Sequence, residues 1–206
     1  MSPVALHRLD AAVAAATALI LLTASSAPAL TNAAQEDLCP LVGDLPPNFA
    51  RKCIDAGGDA SGERCWLTYT PPAARLANNA TTDHPGVPLV VDLHGFTSCA
   101  IYNTAYTGWK ERAEADGFVV VYPQGTANSD VVDLSCFNAG QCCCFKGFRR
   151  VDDIDDVSFL RMLIADTMVG SDVPVDPDRV YLSGHSNGCM MAQRTAAELS
   201  DLVAAV

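Results

Sequence analysis

Three short apolar runs constrain this chain more than any other feature. "PLVVDLHG" (88–95) and "GFVVVYPQG" (117–125) are nearly continuous in valine, leucine and aromatic residues, "VDPDRVYLSG" (175–184) is a turn leading into a third such run, and each stops at a glycine. Runs of that length, apolar on both faces, read as strands buried in the middle of a parallel sheet. Helix-like segments separate them: 101–115, with Ile101, Ala105, Trp109 and Ala113 near one face, and 151–168, where Ile154, Val157, Leu160, Ile164 and Met168 keep helical spacing. A third, 187–202, follows the last run. Strand, helix, strand, helix, strand, helix implies right-handed crossovers, hence an open α/β sheet. Functional groups in such a sheet gather at the carboxyl ends of the strands, here "HGFTSC", "YPQGTAN" and "SGHSNG".

The last of these ends carries chemistry. Gly184, Ser186 and Gly188 form G-x-S-x-G between a buried strand and a helix, the setting a nucleophile elbow requires. A tight turn there lifts the serine hydroxyl above the sheet, and glycines on either side let strand and helix approach closely. The helix amino end aims free N–H groups at the place where negative charge grows during acyl transfer. In an elbow hydrolase one oxyanion donor is the N–H after the serine, here Asn187. The other comes from the loop after the first buried strand, here Phe96 or its neighbour. His94, at a strand end before glycine, reads as shaping that loop through a ring hydrogen bond rather than as a general base.

Composition excludes several classes. The 206 residues are half apolar, enough for one domain with a real core, and only 18% are charged. A formal charge of −11 disfavours nucleic acids and anionic membranes. Residues 1–29 read as a signal peptide: His7 and Arg8 precede the apolar run 11–24, and "SSAPAL" offers small residues, with cleavage expected between Ala27 and Ala34. Fourteen apolar residues fall short of the ~20 that a spanning helix needs, so no stable membrane span is expected. Extracellular localisation follows, and nine cysteines at 39, 53, 65, 99, 136, 142, 143, 144 and 189 agree with an oxidising compartment. Nine is odd, so at least one thiol is free or pairs outside the chain. Adjacent cysteines without a C-x-x-C pair read as disulfides rather than a metal site. Asn79 heads a glycosylation sequon. The acidic cluster Asp152, Asp153, Asp155 and Asp156 suits the amino end of a helix dipole better than a calcium loop. A cysteine-bearing segment, 30–64, with Cys39 and Cys53 as staples, precedes a strand at 65–72 and a loop at 77–88. Oligomeric state leaves no mark in these patterns.

"VVDLHGF", "GFVVVYPQG", "FNAGQCC", "VDDIDDVSFLRMLI" and "VDPDRVYLSGHSNGCMMA" together resemble the secreted esterases of the polyhydroxybutyrate depolymerase type, with the feruloyl and acetylxylan esterases. The resemblance runs from residue 65 to 206. It implies an α/β-hydrolase fold, a mostly parallel sheet with helices on both faces, and Ser186 as the acyl-enzyme nucleophile. It implies an oxyanion hole at Phe96 and Asn187, with Gly184 and Gly188 as elbow glycines. The implied reaction is hydrolysis of polymer esters, or of aryl and acetyl esters on polysaccharides, with no metal or organic cofactor. It also implies a Cys99–Cys136 bridge, with pairing of Cys136 to Cys142, Cys143 or Cys144 as the alternative.

Two departures stand out. Cys189 sits where many relatives carry a further glycine. Hydrolases of this fold place their acid and histidine after the serine, yet beyond Ser186 only Glu198 and Asp201 appear, and no histidine. His185 adjoins the serine, where successive side chains diverge, and His84 lies in an upstream loop. "DLVAAV" looks like the opening of another strand. The expectation is an amino-terminal fragment, inactive alone, with 65–206 a partial hydrolase domain truncated after the elbow helix. Two other readings share these residues: an elbow hydrolase of other specificity (peptidase or lipase), and a non-catalytic secreted carbohydrate-binding relative.

Overall fold

The computed structural model describes residues 44–56, 62–80, 86–127, 135–140 and 154–206. The signal-peptide reading, Cys39, His84 and the "QCCC" cysteines lie outside the described residues. Among those described, no helix is long and apolar enough to cross a membrane.

The strands are β1 (Phe49–Asp55), β2 (Glu63–Tyr69), β3 (Val87–Leu93), β4 (Val119–Pro123), β5 (Thr126–Ala127), β6 (Ser135–Cys136) and β7 (Val175–Gly184). The helices are α1 (Pro72–Ala80), α2 (Ala100–Tyr106), α3 (Trp109–Asp116), α4 (Asp156–Gly170) and α5 (Asn187–Glu198). Five strands form one sheet in the order β1-β2-β4-β3-β7, and β5 and β6 form a small antiparallel pair. β4, β3 and β7 are parallel, as the three apolar runs predict. β1 and β2 add an antiparallel edge.

Alternation along the central strands explains why those runs are apolar throughout. Leu89, Val91, Leu93, Val119, Val121, Val180 and Leu182 face one core, filled by Phe159, Leu160, Leu163 and Ile164 of α4 and Met191 and Ala192 of α5. Val90, Val120 and Tyr122 face a second core with Leu67, Tyr69, Ala100, Ala113 and Phe118. Helices therefore cover both faces, and no polar alternation survives in the strands.

Several elements differ from the sequence reading. β1 lies within the polar amino-terminal segment. It carries exposed Ala50, Arg51 and Lys52, as an edge strand can, and Cys53 is joined to Cys65 directly opposite. α1 occupies part of the expected loop at 77–88. The expected helix 101–115 is two helices, broken at Gly108, whose φ of 74° ends the first and starts the second. The buried residues of α2 are Ala100, Asn103 and Thr104; Ile101 packs half-buried against the same core as expected, Ala105 is exposed, and Asn103 reaches a buried carboxylate, Asp92. α4 keeps its predicted apolar face. Asp155 caps it, accepting from the Ser158 N–H at 3.0 Å and hydroxyl at 2.7 Å. Asp156 turns inward instead and pairs with Arg64 at 2.5 Å, both almost fully buried. Beyond α5, the Ala204 N–H donates to Val180 O (2.8 Å) and Leu182 N–H to Ala205 O (3.0 Å). "DLVAAV" thus turns strand-like beside β7, as its apolar character suggests.

Candidate active site

β7 runs straight into α5 with only His185 and Ser186 between them. Ser186 occupies the N-cap position with φ 53° and ψ −115°, outside the allowed wells for an L-residue. Such strain persists only where surrounding structure over-determines it, and it clusters at functional sites. The surroundings here are tight. A Cβ on Gly188 would stand 2.2 Å from Leu93 O and 2.5 Å from His94 O, and one on Gly184 would stand 2.4 Å from the Gly188 carbonyl. The two glycines are obligatory because helix α5 rests directly on backbone. Cys189, half-buried, is a free thiol that accepts a hydrogen bond from Gln193.

The loop after β3 lies against this turn. Gly95 packs so close that a Cβ there would sit 3.5 Å from the Ser186 Cβ. The next residues are Phe96, half-buried, and Thr97, a β-branched residue at φ 65° whose N–H donates to Ser135 O at 3.0 Å. Phe96 and Ser186 line one cavity of about 270 Å³, with Ser98, Tyr102, Tyr106 and His185 among its walls. The structure thus brings Ser186, Phe96 and the elbow glycines together at the carboxyl edge of the sheet. Cys99 and Cys136 border the same region, buried and each disulfide-bonded.

Asn187 contributes more than its main chain. Its side chain is fully buried. Oδ1 accepts from the Phe137 N–H at 2.8 Å and Nδ2 donates to Phe137 O at 3.0 Å. The Phe137 ring in turn packs 4.8 Å from that of His94. His94 behaves as its sequence position suggests: Nδ1 donates to Gly95 O (2.8 Å) and Nε2 accepts from the Gly125 N–H (3.0 Å). With both nitrogens engaged and no exposure, it holds three loops together and cannot take a proton from Ser186. Burial disfavours its charged form and lowers its pKa to about 4. His185 is exposed, and its ring meets Tyr106 edge-on at 5.6 Å.

Beneath the elbow lies a polar network that sequence reasoning missed. Asp92, on β3, accepts from Asn103 Nδ2 (2.7 Å), the Thr107 hydroxyl (2.8 Å) and the Ser183 hydroxyl, and Ser183 accepts from Trp109 Nε1 at 3.0 Å. Desolvation outweighs these bonds and raises the Asp92 pKa to about 6. A lone aspartate inside "LVVDLHG" was the available signal. One cluster of metal-type ligands occurs among the described residues, Cys53, Glu63 and Cys65, and both of its sulfurs are consumed by the disulfide.

A mixed, mainly parallel sheet covered on both faces, with a serine strained between strand and helix at its carboxyl edge, defines an α/β-hydrolase fold. Known structures share the fold. Over 76% of this chain it superposes on half of an acetyl xylan esterase from Aspergillus awamori (TM-score 0.53, 18% identity). Over 79% it superposes on 58% of an S-formylglutathione hydrolase from Agrobacterium tumefaciens (TM-score 0.54, 19% identity). In sequence it is similar to a bifunctional acetylxylan esterase/xylanase of Neocallimastix patriciarum, 28% identical over 59% of this chain and 15% of that one. A feruloyl esterase B of Piromyces equi is 28% identical over 60% and 21%. A poly(3-hydroxyalkanoate) depolymerase C of Paucimonas lemoignei is 33% identical over 57% and 26%. No family model matches. In sequence the chain is thus similar to esterases of the acetylxylan, feruloyl and polyhydroxyalkanoate-depolymerase type, the resemblance its motifs carry. It spans only 15–32% of the length of the first two curated relatives and the others named here.

Proposed function

We propose that this is the nucleophile-bearing part of a secreted serine carboxylesterase acting on polymer esters or on ester groups carried by polysaccharides. The observation that carries the reading is Ser186 at φ 53° between β7 and α5, exposed and opening into a cavity. Ser186 Oγ attacks the ester carbonyl carbon, the carbonyl electrons move onto oxygen, and the N–H groups of Phe96 and Asn187 receive that oxyanion. Collapse expels the alcohol and leaves an acyl-Ser186, which water then cleaves.

The serine proton needs a base. His94 is committed, His185 projects beside Tyr106 and His84 lies outside the described residues, so neither described histidine is placed to take it. In this fold the acid and the histidine follow the serine, and this chain spans only 15% and 26% of two of its relatives. The chain alone then turns over p-nitrophenyl acetate no faster than Ser186→Ala. Secretion is supported by the apolar leader at 11–24 and by the Cys53–Cys65 disulfide.

A fluorophosphonate adduct mapped by mass spectrometry tests the nucleophile in a version that supplies the base. Modification at Ser183, with Ser186 unlabelled, overturns the reading.

A further inference from the structure

The cavity beside Ser186 has one wall whose footing is polar. α2 lines it with Tyr102, Asn103 and Tyr106. The helix has seven residues and no side-chain cap at its start. Its buried side chains are Ala100, Asn103 and Thr104, with Ile101 half-buried, so it places little apolar surface in a core. Hydrogen bonds anchor it instead. The Ala100 N–H donates to Gln124 Oε1 at 3.0 Å, and the remaining anchors converge on one carboxylate. Asn103 Nδ2 donates to Asp92 Oδ2 at 2.7 Å, and the hydroxyl of Thr107, the C-cap, donates to the same oxygen at 2.8 Å. Asp92 stands opposite Ser183 in the pairing of β3 with β7 and also accepts from its hydroxyl. One buried carboxylate thus joins the cavity wall to the strand that leads into Ser186.

We propose that Asp92 is a positioning residue of this site, holding α2 against β7 while ionised and releasing that wall when it takes up a proton. This role deepens the esterase reading and rests on it, because the wall bears on turnover only where Ser186 is acylated. An ionised carboxylate only accepts, and three donors suit it. Bonds to a charged acceptor are also stronger than bonds to a neutral one. Protonation turns one oxygen into a donor among groups that themselves donate, and it weakens the bonds to the other. The Thr107 hydroxyl has a second acceptor in reach, Asn103 O at 3.2 Å, so it can leave Asp92 without losing every bond. Burial raises the Asp92 pKa to about 6, which brings the exchange close to neutrality. Few titratable groups face it. His185, from the elbow turn, favours the ionised form, and Tyr122 faces it from β4, itself subject to Glu111 of α3. Asn103, Thr107 and Trp109 are neutral. His94, two residues on, has its pKa lowered to about 4 and stays uncharged there.

The test is amide hydrogen exchange of the whole chain, followed by NMR between about pH 7.5 and pH 5 and corrected for intrinsic rates. Protection at residues 103–107 should fall about tenfold on acidification, the loss of one or two bonds to a charged group. Leu163 and Ile164 of α4 should hold within about twofold over the same range. The Trp109 indole proton, bonded to Ser183, should shift with the same midpoint. Asp92→Asn should abolish both responses. Thr107→Val removes a donor to the ionised form and should move the midpoint up by about half a pH unit. Histidine side chains titrate in this range, so His185→Gln is the control and should keep the response. Protection in α2 that ignores pH overturns the proposal, as does a response that survives Asp92→Asn or vanishes in His185→Gln. Should Asp92→Asn fail to fold, an unmoved midpoint in Thr107→Val overturns it alone. Fluorophosphonate mapping separates the two readings. Ser186 labelled with α2 indifferent to pH keeps the esterase and removes the switch. Release of α2 with Ser186 unlabelled removes the esterase reading and leaves the switch.

Discussion

The side chain of Asn187 and the peptide unit of Phe137, fifty residues apart, exchange two hydrogen bonds of 2.8 and 3.0 Å in a fully buried setting. The residue that follows Ser186 is thereby clipped to the segment after β6, which also packs on His94. An amide suits this job because it donates and accepts at once. Asn187→Ala removes both bonds and desolvates peptide groups without return, a cost of about 2–4 kcal/mol. Asn187→Asp keeps the acceptor and loses the donor, and it buries a charge. Both variants should unfold at lower denaturant, with the aspartate improving as pH falls. An unchanged midpoint for Asn187→Ala would show that the clip is incidental.

The elbow glycines make a sharper prediction. Gly188→Ala drives a methyl group into the Leu93 and His94 carbonyls, at 2.2 and 2.5 Å, and neither is a flexible side chain. Overpacking of that kind costs about 1–3 kcal/mol or more, and here the backbone itself must move. Gly108→Ala provides the comparison. Its φ is 74° but nothing lies within 4 Å, so it should lose only the left-handed penalty of about 1–2 kcal/mol. Equal losses at the two sites would contradict the packing argument.

Two buried titrations oppose each other. The Asp92 pKa is raised to about 6, so the folded state holds this proton more tightly than the unfolded chain does. Its stabilising contribution is complete below the ordinary carboxylate value and is lost as pH rises through about 6. The His94 pKa is lowered to about 4, so protonation favours the unfolded chain, and its contribution grows as pH rises from about 4 to 6.5. Each term is about 3 kcal/mol at full development. The native protein should therefore show a flat stability profile across pH 4–6. Asp92→Asn should unmask a rise with pH. A parallel flat profile in Asp92→Asn would dismiss the His94 term.

The Arg64–Asp156 pair supports the same region from below. Both groups are nearly inaccessible, the Arg64 guanidinium lies 4.0 Å over the Phe159 ring, and Asp156 also accepts from the Asn138 N–H at 2.5 Å. Removing one partner strands a buried charge, so Arg64→Met should cost about 3–5 kcal/mol. Arg64→Met combined with Asp156→Asn should recover part of that loss in a denaturation cycle. Strict additivity of the two changes would deny the coupling.

Cysteine chemistry is equally checkable. Under denaturing, non-reducing conditions Cys189 should be alkylated, while Cys53, Cys65, Cys99 and Cys136 should not. Peptide mapping then identifies the partner of Cys99. The family resemblance implies Cys136, and a peptide joining Cys99 to the 142–144 cluster would overturn that pairing.

The central strands and the elbow are legible in sequence because their signals are local. A continuous run such as "GFVVVYP" needs no knowledge of its neighbours, and Gly184 and Gly188 flank Ser186 within five residues. What escaped depends on distant partners. Arg51 and Lys52 look like loop residues until β2 pairs with them, and Asn103 looks outward-facing until Asp92 is known to lie beneath it. Asp156 reads as one more helix-end acid, and only the fold brings Arg64, ninety-two residues earlier, to meet it.

The bridge between Cys53 and Cys65 has a consequence for how the protein survives in a protease-rich medium. It ties the outermost strand to its neighbour at facing positions, across a separation of twelve residues. A cut in the connecting stretch would leave two chain ends still covalently joined, with the register intact. β1 could then neither drift away nor be exchanged with the same strand of another molecule. Nicked and whole protein should differ on a reducing gel and nowhere else.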